Sequence, residues 1–161
     1  MTTNKKPESK APDEVTIRRI LDAPRDLVFS AWTDPAHVAQ WWGPGGFTST
    51  VLAYEMRPGG PMRIDMHGPD GVTYPMDGTV RDVVPPERLV FVAGALDSGG
   101  KLMFEVVTTV TFEQLGGKTR LTLNARVGRK SPGADQHIEG MEAGWTQSLE
   151  RLAAFVEAGP K

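Results

Sequence analysis

The chain has 161 residues, 39% of them apolar and 24% charged, with a formal net charge of −2 and no cysteine. A length of that order suits one folded unit around one core, and the balance argues against both a wholly disordered chain and a membrane class. The missing thiols exclude disulfides, zinc–thiolate sites and a cysteine nucleophile, and the slightly acidic charge is a poor match for a nucleic-acid backbone.

Residues 1–13 carry Pro7 and Pro12 among lysines, serine and threonines. A segment so poor in apolar side chains cannot offset its ordering entropy, so a mobile tail is expected there, with the folded domain over residues 14–159. The tail lacks the apolar stretch of a secretory signal, and no run approaches the roughly 20 apolar residues that span a bilayer. No membrane span is therefore expected, and the cytoplasm is the expected location.

Val15, Ile17 and Leu21 fall on one face of an extended run, which predicts a first strand. Pro24 ends it and suits the first turn of a short helix bearing Leu27, Val28, Ala31 and Trp32. Thr33-Asp34-Pro35 repeats the capping signal ahead of Val38, Trp41 and Trp42, so a second short helix follows at once. Gly43-Pro44-Gly45-Gly46 closes it. The period then changes to two, and six further strands are expected over residues 47–55, 62–67, 72–84, 89–93, 102–112 and 119–127. The turns between them are short, which makes successive strands antiparallel neighbours. After a polar loop over residues 128–137, Met141, Trp145, Leu149, Leu152 and Val156 recur at helical spacing, and a long amphipathic helix is predicted over residues 138–157.

Several of these segments together carry a resemblance. They are Ala23-Pro24-Arg25-Asp26-Leu27-Val28-Phe29, Ala31-Trp32-Thr33-Asp34-Pro35, Trp41-Trp42-Gly43-Pro44, Gly68-Pro69-Asp70-Gly71, Pro85-Pro86-Glu87-Arg88-Leu89 and Gly140-Met141-Glu142-Ala143-Gly144-Trp145. In this order the chain resembles the START-like ligand-binding superfamily, in the branch named for homology to the C-terminal domain of the Hsp90 ATPase activator. The resemblance implies an α+β helix-grip fold: a seven-stranded curved antiparallel sheet gripping a long C-terminal helix, with two short helices after the first strand and a cavity between helix and sheet. It implies no single activity, since members of the superfamily bind lipids, hormones and polyketides, and some are cyclases or hydratases. Only residues 1–13 precede the first strand, so the separate N-terminal domain of an Hsp90 activator, and with it ATPase activation, is not expected.

The candidate ligand contacts are Trp32, Trp41, Trp42 and Phe47 near the glycine-rich turn, Ile64, Met66 and Met76 on the third and fourth strands, Phe104 and Val106 on the sixth, and Met141 and Trp145 on the last helix. Tryptophan offers a large apolar face with one N–H to place a polar group, and methionine adapts to varied apolar guests. Each has a plainer reading as core packing. Consecutive helical residues diverge by about 100°, so only one of Trp41 and Trp42 is expected to face inward. His67 and His137 read as solvated turn residues; no HExxH or paired spacing predicts a metal, and no cofactor fingerprint or catalytic constellation is present. An inward charge pair would have to be drawn from Arg63, Asp65 and Glu105. The expected function is binding of a hydrophobic small molecule or lipid in an apolar cavity. The alternatives are a cyclase or hydrolase acting on a polyketide-like substrate and an Hsp90-type interaction module. The sequence is compatible with a homodimer.

Overall fold

A computed structural model describes residues 14–96, 101–130 and 141–158. The strands are β1 (Glu14–Leu21), β2 (Thr48–Tyr54), β3 (Pro61–His67), β4 (Thr73–Val84), β5 (Arg88–Leu96), β6 (Leu102–Leu115) and β7 (Lys118–Lys130). The helices are α1 (Arg25–Thr33), α2 (Pro35–Trp41) and α3 (Met141–Glu157). The seven strands form one sheet in the order β1-β7-β6-β5-β4-β3-β2, every neighbour antiparallel. β2 to β7 is a meander, and α1 and α2 carry the chain from one edge of the sheet to the other. This is the helix-grip architecture that the resemblance implied.

Four register shifts help to curl the sheet. Leu52, Arg81, Met103 and Gly128 each stand as an extra residue where the pairing register shifts, and an extra residue bends its strand and raises the local twist. The bulge at Gly128 also inverts the alternation along β7, and pairing resumes beyond it, so the strand runs to Lys130 where the alternation had suggested an end at Val127. β5 likewise extends to Leu96. Residues 131–140, which include most of the expected polar loop, His137 and the expected helical start at Ile138, lie outside the described residues, as do residues 1–13.

α2 begins as its sequence demands: Asp34 Oδ1 accepts from the Ala36 N–H at 2.9 Å, and Pro35 fills the first helical position. The helix stops at Trp41. Trp42 is already extended, with ψ of 134°, so the 100° divergence expected of consecutive helical residues does not govern this pair and both indoles are buried.

The core has a crowded end and a sparse end. At the crowded end, Leu149, Leu152, Ala153 and Val156 of α3 join one buried cluster with Val110 and Phe112 of β6 and with Leu121, Leu123 and Ala125 of β7. Burying each large side chain contributes about 1.5–3 kcal/mol. Trp32, fully buried on α1, lies amid other rings: Trp41 at 4.7 Å, Trp42 at 6.2 Å, Phe112 at 6.4 Å and Trp145 at 6.0 Å between centroids. Its carbonyl accepts from the Tyr54 hydroxyl at 2.5 Å, and burial pushes the Tyr54 phenol above its ordinary pKa. Trp41 donates from Nε1 to the Ala31 carbonyl at 2.9 Å, whereas the buried Trp32 Nε1 has no hydrogen-bond partner among the described residues.

Candidate ligand-binding site

The sparse end holds a cavity of about 200 Å³ between the first half of α3 and the inner face of the sheet. Its origin is the coincidence of small side chains on both walls. β5 presents Ala93 and Gly94, and Gly78 of β4 sits opposite Ala93 in the ladder. α3 presents Gly144 and Ser148, one helical turn apart on a single face. Four residues further along that face Leu152 is fully buried, and the gap is closed.

Of the expected ligand contacts, Met66, Met76, Phe104 and Val106 line the cavity from the sheet, and Trp42, Met141 and Trp145 line it from the helical side. The other four stand elsewhere. Trp32 and Trp41 are fully buried in the aromatic cluster, Ile64 is fully buried on β3, and half-buried Phe47 packs on Tyr74 with centroids 5.7 Å apart. Of the two adjacent tryptophans, Trp42 is the one at the cavity. It touches Trp145 edge-on at 5.5 Å and Phe91 at 6.1 Å.

Sequence reasoning missed Phe91, Ala93, Gly94, Thr108, Gly144 and Ser148. Thr108 was legible in principle, because it occupies the inward position between Val106 and Val110 on β6. Ser148 lies three residues after Trp145, on the same helical face. Both are polar residues on otherwise apolar walls, and both are buried, at 1% and 5% exposure.

One lip of the cavity is the turn after α2, and α3 holds it. Arg151 donates from Nη1 to the carbonyls of Gly43 at 3.0 Å, Pro44 at 3.1 Å and Trp42 at 3.4 Å, and from Nη2 to Gln40 at 3.5 Å. Those carbonyls close the end of α2, where a cation also complements the helix dipole. Gln147 Oε1 accepts from the Gly45 N–H at 3.0 Å. Gly43 takes φ of +103°, a conformation that costs a side-chain-bearing residue, and a Cβ there would meet Phe47 at 3.4 Å. In the turn between β3 and β4, Asp70 Oδ1 accepts from the Val72 N–H at 3.0 Å and Oδ2 accepts from the Tyr74 hydroxyl at 3.1 Å. The Val72 N–H, more than the Tyr74 hydroxyl, draws the Asp70 carboxyl below its ordinary pKa.

The charged candidates do not converge on the cavity. Arg63 pairs in register with Asp77 and Asp65 with Pro75 across β3 and β4, and none of them, nor Glu105, lines the cavity. His67 lies between two hydroxyls, Thr50 at 2.8 Å and Thr73 at 3.1 Å. Among the described residues, no three His, Asp or Glu side chains gather as a metal site would require. No helix of the described residues is long and apolar enough to cross a membrane.

Comparison with known proteins adds an independent line. Residues 22–157 match the family model described as activator of Hsp90 ATPase homolog 1-like protein. Among solved structures, a protein from Chromobacterium violaceum is 29% identical, with 94% of this chain and 100% of that one covered and a TM-score of 0.78. The AHSA1 protein from Silicibacter pomeroyi is 28% identical over 91% of this chain and 99% of its own, with a TM-score of 0.78. A protein from Arthrobacter aurescens, solved by solution NMR, is 25% identical over 95% and 92%, with a TM-score of 0.84. A comparison with curated proteins gives no significant match.

Proposed function

The chain belongs to the activator of Hsp90 ATPase homolog 1-like family, and from that membership we propose that it is a binding protein for a small apolar molecule held between α3 and the sheet. The observation that carries the reading is the cavity of about 200 Å³, walled by Trp42, Met66, Met76 and Phe104 and left open by small residues on facing elements. Packing of large apolar residues would have been worth several kcal/mol there, as it is at the other end of the same helix. A gap kept by glycine, alanine and serine on both walls suits a guest. Methionines on three elements adapt to the shape of that guest.

The exposed large apolar residues do not favour a protein partner instead. Ile20 and Leu52 lie on β1 and β2, the opposite edges of the sheet, and Val72 lies beside the β3–β4 turn. Among the described residues, these three separated side chains do not build the contiguous apolar face that a stable protein contact uses.

Native mass spectrometry of the chain purified from its own host tests the reading. The expected spectrum holds a second species, heavier by the mass of one small neutral molecule and lost on collisional activation. A chain that carries no adduct, and whose tryptophan emission no apolar compound quenches saturably, would remove the basis for the proposal.

A further inference from the structure

The described walls of the cavity carry two side-chain hydroxyls. Thr108 on β6 and Ser148 on α3 both line the cavity and are 1% and 5% exposed. They are the only polar side chains in the described lining, whereas a third buried hydroxyl, that of Thr119, is engaged within the fold and donates to the Ala23 carbonyl at 2.7 Å. Once a guest displaces solvent from the cavity, a hydroxyl on an apolar wall is left without a partner unless the guest supplies one, so a guest group that pairs with it is favoured over an apolar one. The described lining is otherwise apolar and contains no Asp, Glu, Lys, Arg or His. A charged guest would therefore be desolvated without an opposite charge to receive it.

Size narrows the class further. A cavity of about 150 Å³ holds benzene, so one of about 200 Å³ accepts one ring with substituents or two fused rings, and falls short of a sterol or a long acyl chain. We propose, resting on the binding reading above, that the guest is an uncharged one- or two-ring compound bearing a single hydroxyl or carbonyl, and that Thr108 and Ser148 are the specificity-determining contacts to that polar group. Each hydroxyl can donate or accept, so the pair serves a phenol or a ketone alike. The flat body of the guest then lies against Trp42, Trp145 and Phe91, whose rings already meet at edge-on and tilted angles.

Calorimetric titration with naphthalene, 2-naphthol and 2-naphthoate, on the full chain and on the Thr108→Val/Ser148→Ala double variant, separates the two claims. The expected order for the unaltered chain is 2-naphthol at least as tight as naphthalene, with 2-naphthoate about tenfold weaker than 2-naphthol or more. In the double variant the ratio of 2-naphthol to naphthalene affinity falls about threefold or more, the span of one net hydrogen bond. If the ratio does not change, the hydroxyls are not the anchor, and the binding reading survives without it. Tightest binding by 2-naphthoate overturns the uncharged guest. If neither naphthalene nor 2-naphthol binds the unaltered chain, the binding reading itself fails. Should the double variant not fold, Thr108→Val and Ser148→Ala taken singly read the same ratio, and the three-compound order needs no variant.

Discussion

Arg151 reaches from the last helix to donate to the Gly43 carbonyl at 3.0 Å, with Trp42 and Pro44 accepting from the same nitrogen. The helix that forms one wall of the cavity thus also holds the turn after α2. Arg151→Met keeps most of the apolar stem but removes every one of these donors. It is expected to cost about 1–2 kcal/mol, less than a fully buried charged hydrogen-bond set because the side chain is half-buried. The more specific sign is amide exchange. The Gly45 N–H, held by Gln147, and the Phe47 N–H, held by the Pro44 carbonyl, should exchange faster in the variant, while amides in β6 and β7 keep their protection.

Leu149→Ala removes a side chain with 1% exposure from the crowded end of the core. The expected loss is about 2–5 kcal/mol, from lost transfer energy and the new void together. Urea denaturation measures it, and a neutral result would mean that α3 presents a different face to the sheet.

Gly144 separates helix stability from cavity space. It sits inside α3, where glycine costs about 0.5–1 kcal/mol relative to alanine, and an added Cβ would meet Pro44 at an ordinary 3.9 Å. Gly144→Ala should therefore raise the melting temperature by a few degrees. Gly144→Leu should project into the cavity and weaken any guest about tenfold or more. Thermal unfolding and calorimetry on the same two variants check both halves.

The turn over residues 68–71 has a pH dependence set by Asp70. Its carboxyl is drawn below the ordinary value, first by the Val72 N–H, so these contacts are fully made at pH above the usual carboxylate range and are lost as pH falls through the depressed pKa. A carboxyl-carbon NMR titration should place Asp70 below about 3.9, the ordinary aspartate value. Tyr74, raised chiefly by its hydrogen bond to Asp70, should return toward the ordinary phenol range in Asp70→Asn. An unshifted tyrosine in that variant would show that the bond is not populated in solution.

The sheet and its order were legible because alternation and short turns act locally, as along Leu121, Leu123 and Ala125 on β7. The bulge at Gly128 hid the end of that strand for the same reason: one extra residue inverts the pattern that periodicity reads. The cavity was harder to see. Large inward residues such as Ile64 and Trp41 stand out in a sequence, yet they fill the core rather than border a space. A cavity forms where small residues coincide on distant elements, here Ala93 and Gly94 with Gly144 and Ser148, and that alignment depends on strand register and on how α3 crosses the sheet. Trp42 shows a second limit. Whether it continues the helix or turns out of it is decided by Gly43-Pro44 and by Arg151, which lies 109 residues away.

The claim that this cavity takes a small apolar guest is tested most directly by methyl NMR of the chain labelled at its seven methionines, titrated with naphthalene. Met66, Met76 and Met141 line the cavity, whereas Met62 is fully buried in the core and does not. Saturable shifts at Met66, Met76 and Met141, with Met62 nearly still, are the predicted result. Shifts that never saturate, or that leave those three methyls unmoved, would contradict it.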